Sequence, residues 1–462
     1  MILIKFLSII LLLPSISVIR KLVQKADLNF FDLLLVFNTL FFVIIPLKSN
    51  QIVFNAIGRL STNTSIFVFF YLMFFFLASL IASNLIANDN NSPINVTHFI
   101  KKYPRIKISL LYKIFLIVLP IFSIIYYIPQ MSLISAFEEI QQESSNASYE
   151  QSSMIKFFST IFRFGLIVPM VLFFQNIKQK KYDIFIIISL LLFLLNYLML
   201  SRRELLEFFL FGAIVFYSIN RELISKKLIV YGLVFGAFLY FIYFPFYNII
   251  RTSPIEFKIS QPITSIQKIY DYGLNKFSKD NDNASDLTDT RAINLYKAIY
   301  RVALHDSDDD ISWGEITLSA IDHAIPRIVN PNKGLGSEIT LQDRQNVDYD
   351  SADSVLLLAL ADYSILGSLI TVIFYILIYR LWFFISRTSE SLFGKTIVSL
   401  YVVYSIFSLA YATEQKLDAI LAKTIAFTLI ILLIGVIHKL KFIEILSISS
   451  DTETKNLGNT IK

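Results

Sequence analysis

Eleven long apolar runs, separated by short polar or basic segments, dominate the chain: 2–19, 30–47, 65–87, 109–128, 153–175, 182–200, 203–219, 228–249, 355–385, 396–413 and 418–438. Each holds about twenty mostly apolar residues, the length that a helix rising ~1.5 Å per residue needs to cross a hydrocarbon core ~30 Å thick. The pattern predicts an all-α fold, a polytopic transmembrane helix bundle of about 11 spans. Spans one to eight fall within 1–249 and spans nine to eleven within 354–440; a large polar loop occupies 250–353, and 441–462 form a tail. The first run carries its positive charges after it (Arg20, Lys21, Lys25), the reverse of a secretory signal peptide, so it reads as a true span.

The connecting segments alternate in charge. Basic clusters occur at Arg20/Lys21/Lys25, Lys101/Lys102/Arg105/Lys107, Lys178/Lys180/Lys181, Arg221/Lys226/Lys227, Arg387/Lys395 and Lys439/Lys441. With eleven spans, all six lie on one side, which the positive-inside rule makes cytoplasmic. The N-terminus is then outside and the C-terminus inside. Segments 48–64, 129–152, 201–202, 250–353 and 414–417 face outward.

Within the large extracytoplasmic loop, helical periodicity recurs. Ser312-Trp-Gly-Glu315 has capping-box spacing, Ile316, Ala320 and His323 would share a face, and Pro326 ends that helix. Ile266, Ile269, Tyr270, Leu274 and Phe277 repeat at helical spacing, as do Ile293, Leu295, Ile299 and Val302. The loop is expected to hold short amphipathic helices. Its acidic stretches 280–286 and 306–310 read as solvated linkers, because the glycine that an EF-hand-type calcium turn needs is missing.

Composition supports lipid as the solvent. The 462 residues are 55% hydrophobic and only 16% charged, with 43 Phe and 24 Tyr, where a soluble chain carries about a quarter charged residues. With no cysteine, disulfides, thiolate metal sites and cysteine nucleophiles are excluded, and four histidines leave little room for a histidine-built metal centre. We expect no metal and no cofactor. The net charge of +6 divides unevenly: 251–353 hold eleven Lys/Arg against seventeen Asp/Glu, so the remainder is strongly basic. That excess reads as topology signal and not as a nucleic-acid surface.

The informative charges are those on the costly side. Arg202 and Arg203 lie in the outward hairpin Leu200-Ser-Arg-Arg-Glu-Leu205, and Arg163 lies about ten residues into the fifth run. An arginine at mid-bilayer costs roughly 3 kcal/mol or more, so it faces the bundle interior and pairs with an anion. Arg251 closes the eighth run at the outer surface and Arg327 follows the capped loop helix. Guanidinium groups match phosphate oxygens bidentately and desolvate more readily than lysine. Together these arginines suggest an outward-facing diphosphate site. Plainer roles stand beside that one: snorkelling for Arg202 and Arg203, an ion pair to Glu204 or Glu414 for Arg163, and interfacial anchoring for Arg251. Two residues compete as general base, His323 in the loop helix and Asp362 at the outer end of the ninth run.

Three stretches give the chain its family likeness: Ser201-Arg-Arg-Glu204, Ile325-Pro-Arg-Ile-Val-Asn-Pro-Asn-Lys-Gly334 and Ala361-Asp-Tyr-Ser-Ile-Leu-Gly367. With the apolar architecture and one large outer loop, they make it resemble the oligosaccharide repeat-unit polymerases of O-antigen and capsule biosynthesis (Wzy-type). It departs from that pattern at Ile370, where the family often has a further glycine, and in its acid, which is commonly a glutamate one position earlier. The resemblance implies a glycosyltransferase of the bacterial cytoplasmic (inner) membrane. It would move a growing glycan from undecaprenyl diphosphate onto a fresh lipid-linked repeat unit, making O-antigen or capsular polysaccharide. On that reading Arg163, Arg202, Arg203, Arg251 and Arg327 bind the diphosphate and Asp362 or His323 is the base. Partners would be undecaprenyl-diphosphate-linked oligosaccharides, membrane lipid, and a chain-length regulator and flippase of the same pathway. Two rivals remain: an O-antigen ligase delivering glycan to lipid A core, for which His323 speaks, and a lipid-linked oligosaccharide flippase or transporter. Neither internal repeats nor matched helix breaks, the marks of many transporters, are visible in the sequence.

Overall fold

Among the described residues, the long apolar runs form helices. The computed structural model describes residues 2–44, 62–87, 106–108, 110–127, 162, 165–180, 182–200, 202–225, 298–304, 311–325, 354–393, 398–412, 417–439 and 446–448, with isolated positions in 227–238, 264–275 and 330–341. The helices are α1 (Ile2–Leu11), α2 (Leu13–Val23), α3 (Phe30–Thr39, running into a π-turn Leu40–Ile44), α4 (Thr62–Ala87), α5 (Leu110–Phe122, with a π-turn Ser123–Tyr127) and α6 (Gly165–Lys178). They continue as α7 (Ile184–Leu200), α8 (Arg202–Ile219), α9 (Glu315–Ala324), α10 (Val355–Tyr363), α11 (Gly367–Phe393), α12 (Val398–Tyr411) and α13 (Leu417–Lys439). The described residues outside helices include one short antiparallel pair, β1 (Ile106–Ile108) with β2 (Leu446–Ile448), in which Lys107 faces Ser447.

Among the described residues, three helical stretches are long and apolar enough to cross a membrane: Phe6–Val23, Thr62–Leu85 and Val355–Ile385. Six shorter apolar helices accompany them, among them Ile184–Tyr197 and Leu205–Ile219. Most of the expected span 228–249 lies outside the described residues, as do the acidic stretches 280–286 and 306–310 entirely. Phe6, Val118, Leu191, Leu377 and Phe384 are all more than half exposed. An apolar surface of this extent is suited to lipid and would be a liability in water.

Aromatic packing ties α3, α8 and α12 together. Phe37 meets Tyr411 edge-on at 5.3 Å, and Phe211 meets Tyr404 at 5.0 Å in the same geometry. Such T-shaped pairs contribute beyond the area they bury.

Ion pairs and polar caps join several of these helices. At the start of α3, Asn29 and Asp32 cap each other: the Asp32 N–H donates to Asn29 Oδ1 at 3.0 Å and the Asn29 N–H to Asp32 Oδ2 at 2.9 Å. Asp32 is fully buried and also accepts from Lys21 Nζ (2.8 Å) and Ser83 Oγ (2.7 Å), joining α2, α3 and α4. Arg221 pairs with Asp27, Lys113 pairs with Asp183, and Asn220 Nδ2 donates to the Phe174 carbonyl at 3.1 Å.

The run 355–385, expected as one span, is broken. α10 is capped by Ser354, whose Oγ accepts from the Leu357 N–H at 3.1 Å. It ends at a 3₁₀ turn, Ser364–Leu366, where Ser364 adopts φ +49°. A continuous helix would hold residues 359 and 367 ~12 Å apart. Here a β-carbon on Gly367 would lie 2.0 Å from the Ala359 carbonyl oxygen, so the chain folds back on itself and only glycine fits. Residues Val355–Asp362 are buried throughout, and Tyr71 Oη of α4 donates to the Leu356 carbonyl at 2.6 Å.

Candidate functional site

The loop helix α9 begins at Glu315, but not by the expected capping box. Ser312 Oγ points away, donating to Asp362 Oδ1 (2.6 Å), and the N-cap position is Gly314 at φ +93°. A side chain at Gly314 would also strike Tyr363, whose Oη would lie 2.8 Å from its β-carbon. The free N–H groups of the first turn are satisfied from another element. Ile316 N–H donates to Asp362 Oδ1 (3.1 Å), Thr317 N–H to Asp362 Oδ2 (2.7 Å), and the Thr317 hydroxyl also donates to Oδ2. A carboxylate at a helix N-terminus is further favoured by the peptide dipoles. Asp362 is therefore fully buried with both oxygens engaged, and the fold-back at 364–366 is what presents it to α9.

Ile316 and Ala320 are fully buried under α9 and His323 is half-buried, the face that the periodicity predicts. Ile325 is extended, as a residue before proline prefers. Asp322 then fastens the following segment: Asn330 Nδ2 donates to Oδ1 (2.6 Å) and the Gly334 N–H to Oδ2 (2.8 Å). Ser319 and Thr340 hydroxyls meet at 3.0 Å. This return brings Gly336 against His323 and against Asp418, in the first turn of α13. A β-carbon on Gly336 would lie 3.6 Å from Asp418 Oδ2 and 3.8 Å from both Cδ2 and Cε1 of His323. α9 thus rests on α10 through Asp362 and on α13 beside Asp418.

The bundle also holds a buried polar chain that sequence reading missed. Glu207 of α8 is 2% exposed and accepts from Tyr404 Oη and Ser408 Oγ of α12, each at 2.9 Å. Lys423 of α13 donates to Ser408 Oγ and lies 5.5 Å from the Phe427 ring centroid. Lys423 is five residues, ~8 Å of helix, beyond Asp418. Glu207 is four residues, about one turn, beyond Arg203. A single ionisable residue in an apolar run is a functional candidate by the rule that singled out Arg163. Applied evenly, that rule finds Glu207 and Lys423 as well.

His323 and Asp362 do not meet. Asp362 holds the N-terminal turn of α9 and His323 lies near its other end, six residues and ~9 Å from Thr317. Arg202 and Arg203 open α8, and their side chains lie outside the described residues, as do Arg163, Arg251 and Arg327 entirely. Among the described residues no group of three or more His, Asp or Glu side chains is arranged to hold a metal ion. The chain matches no protein-family model, no curated protein and no solved structure.

Proposed function

We propose that the chain is a membrane glycosyltransferase of the bacterial cytoplasmic membrane, polymerising undecaprenyl-diphosphate-linked repeat units on its outer face. The observation that carries this reading is the seating of α9: Asp362 clamps the loop helix onto the bundle, and the bundle itself holds a buried chain of Glu207, Ser408 and Lys423. A fixed cap over intramembrane charge suits a reaction that joins a water-borne glycan to a lipid-borne diphosphate. The reading takes eleven spans, with the N-terminus outside and the C-terminus inside. That arrangement requires segments 106–108 and 446–448, which pair with each other, to lie on one side.

In the proposed reaction, the acceptor hydroxyl attacks the anomeric carbon of the donor glycan as the bond to diphosphate breaks. Arginines receive the leaving charge: Arg202 and Arg203, with Arg163, Arg251 and Arg327 as further diphosphate ligands. Since Asp362 spends both oxygens on α9, it acts as a positioning residue, and His323 is the base.

Deletion of the gene, followed by analysis of lipid-linked glycans, tests the reading. Loss of long polymer with accumulation of single capped repeat units is the expected result. Long polymer left unattached would instead indicate a ligase, and unchanged glycans would sink both. Arg202→Ala and Arg203→Ala should each abolish polymerisation while the protein still inserts; full activity in both would remove the diphosphate clamp.

A further inference from the structure

α2, α6 and α8 finish at one place. Asn220, just past α8, donates from Nδ2 to the carbonyl of Phe174, one turn before the end of α6, at 3.1 Å. Tyr217 Oη of α8 donates to the Ala26 carbonyl, just past α2, at 2.8 Å. Lys25 and Arg221 exchange bonds across the same junction: Lys25 Nζ donates to the Arg221 carbonyl at 3.2 Å, and Arg221 Nη1 to the Lys25 carbonyl at 2.8 Å.

Two of these helix ends carry a lysine where the backbone favours glycine. Lys25 has φ +52° and Lys180 has φ +54°. Each occupies the left-handed position of a helix stop. The Lys25 N–H donates to the Leu22 carbonyl (3.1 Å), the Ala26 N–H to Lys21 (2.8 Å), and the Lys180 N–H to Ile177 (3.1 Å). A side chain there costs energy that glycine does not. The positive-inside signal does not demand that cost, because a lysine at a neighbouring position would count equally. Lys178 is exposed two residues before Lys180, and among the described residues neither meets a carboxylate. The acids nearby are mostly engaged: Asp27 with Arg221, Asp32 with Lys21 and Asp183 with Lys113. Exposed Glu222 alone among them stands against Lys25, Lys178 and Lys180. Apolar side chains border these lysines. Val23, Tyr182, Ile184 and Leu223 are all more than half exposed. A soluble anion has nothing to set against them, whereas an amphiphile does.

We infer that Lys25, Lys178 and Lys180 hold the phosphate headgroup of an anionic membrane lipid, whose acyl chains lie on the bordering apolar surface. This site requires the bundle to sit in a membrane and is independent of the polymerase reading. Ammonium groups attract such headgroups at short range, and Arg221 keeps Lys25 in place through backbone carbonyls on both sides.

The test reads the bound lipid. The full-length protein is reconstituted with equal phosphatidylglycerol and phosphatidylcholine of the same chain length, extracted, and weighed by native mass spectrometry. Phosphatidylglycerol should be retained several-fold over phosphatidylcholine. Glycine suits the left-handed backbone, so Lys25→Gly and Lys180→Gly should fold at least as well as the native chain. Each should nevertheless cut the preference about fivefold, as should Lys178→Gln, while Lys180→Arg keeps it. Equal retention of the two lipids by the native chain, or full preference in the triple variant, overturns the inference. Arg387→Gln removes an exposed cation of α11 and should leave the preference intact. An equal loss there would reduce the effect to net charge and overturn the site. Displacement of phosphatidylglycerol by millimolar inorganic phosphate would overturn the lipid assignment, since the apolar border would then contribute nothing.

Discussion

Asp362 Oδ2 accepts the backbone N–H of Thr317 at 2.7 Å, and this bond joins a loop helix to a segment 45 residues away. The same carboxylate takes Ser312, Ile316 and the Thr317 hydroxyl. One buried side chain therefore stands in for the local cap that α9 lacks, and makes the helix start conditional on docking.

That dependence gives the first prediction. Asp362→Ala removes the acceptor from several buried donors, each worth about 1–3 kcal/mol when left unsatisfied. The expected outcome is release of 311–325 before the bundle melts. Limited proteolysis should cut this segment in Asp362→Ala and spare it in the native chain. Asp362→Asn, which can donate where an acceptor is required, should lie between the two.

Gly367→Ala makes a harsher demand. The added methyl would sit 2.0 Å from the Ala359 oxygen and 2.4 Å from its carbonyl carbon, both backbone atoms that cannot rotate away. The loss should exceed the ~1–3 kcal/mol usual for overpacking. Thermal unfolding of the detergent-solubilised variant, or its failure to accumulate in membranes, measures it. Normal stability in Gly367→Ala would mean that α10 and α11 do not fold back as described.

How much of this was legible follows from the range of each interaction. Runs such as 62–87, 184–200 and 398–411 are helices because apolar length is a local property, and their bounds shift by only a few residues. The periodic face Ile316, Ala320, His323 was legible for the same reason. The break at Ser364–Leu366 was not: serine at φ +49° carries no breaker signature, and the fold-back depends on a contact between residues 359 and 367. Ser312 and Glu315 had the right spacing for a local cap, but a distant aspartate occupies that place. Glu207 and Lys423 were individually visible as charges in apolar runs, whereas their meeting at Ser408 is a property of the folded bundle.

Glu207→Ala should destabilise the contact of α8 with α12 by leaving the Tyr404 and Ser408 hydroxyls without their acceptor. A double-mutant cycle with Ser408→Ala should return a coupling of about 0.5–3 kcal/mol, because the two residues share one hydrogen bond inside one network. Additive effects in thermal unfolding would show that the chain is not connected.

Asp32→Ala should weaken the joint of α2, α3 and α4. It removes a capping partner of α3 and strands Lys21, whose side chain keeps 21% exposure. The loss should fall below the ~3–5 kcal/mol seen when a fully buried pair is broken, since Lys21 can still reach water. Lys21→Met in the same background should recover part of it, by removing the stranded charge. Thermal unfolding of the single and double variants separates these terms.

The proposed orientation can be read without any activity, because a chain with no cysteine accepts single reporter thiols directly. Trp313, just before α9, is 74% exposed, and Tyr182, just before α7, is 76% exposed. If α9 faces outward and the α6–α7 turn faces the cytoplasm, a membrane-impermeant maleimide should label Trp313→Cys in intact cells. Tyr182→Cys should react only after permeabilisation, since it follows the basic segment Lys178/Lys180/Lys181 that the proposed orientation makes cytoplasmic. The reverse pattern would place α9 and His323 on the side where the sugar-nucleotide pool lies, and a reaction on an outward-facing lipid-linked glycan would then be impossible. Equal labelling of both before permeabilisation would set the two reporters on one face and remove the span count on which the outward diphosphate site depends.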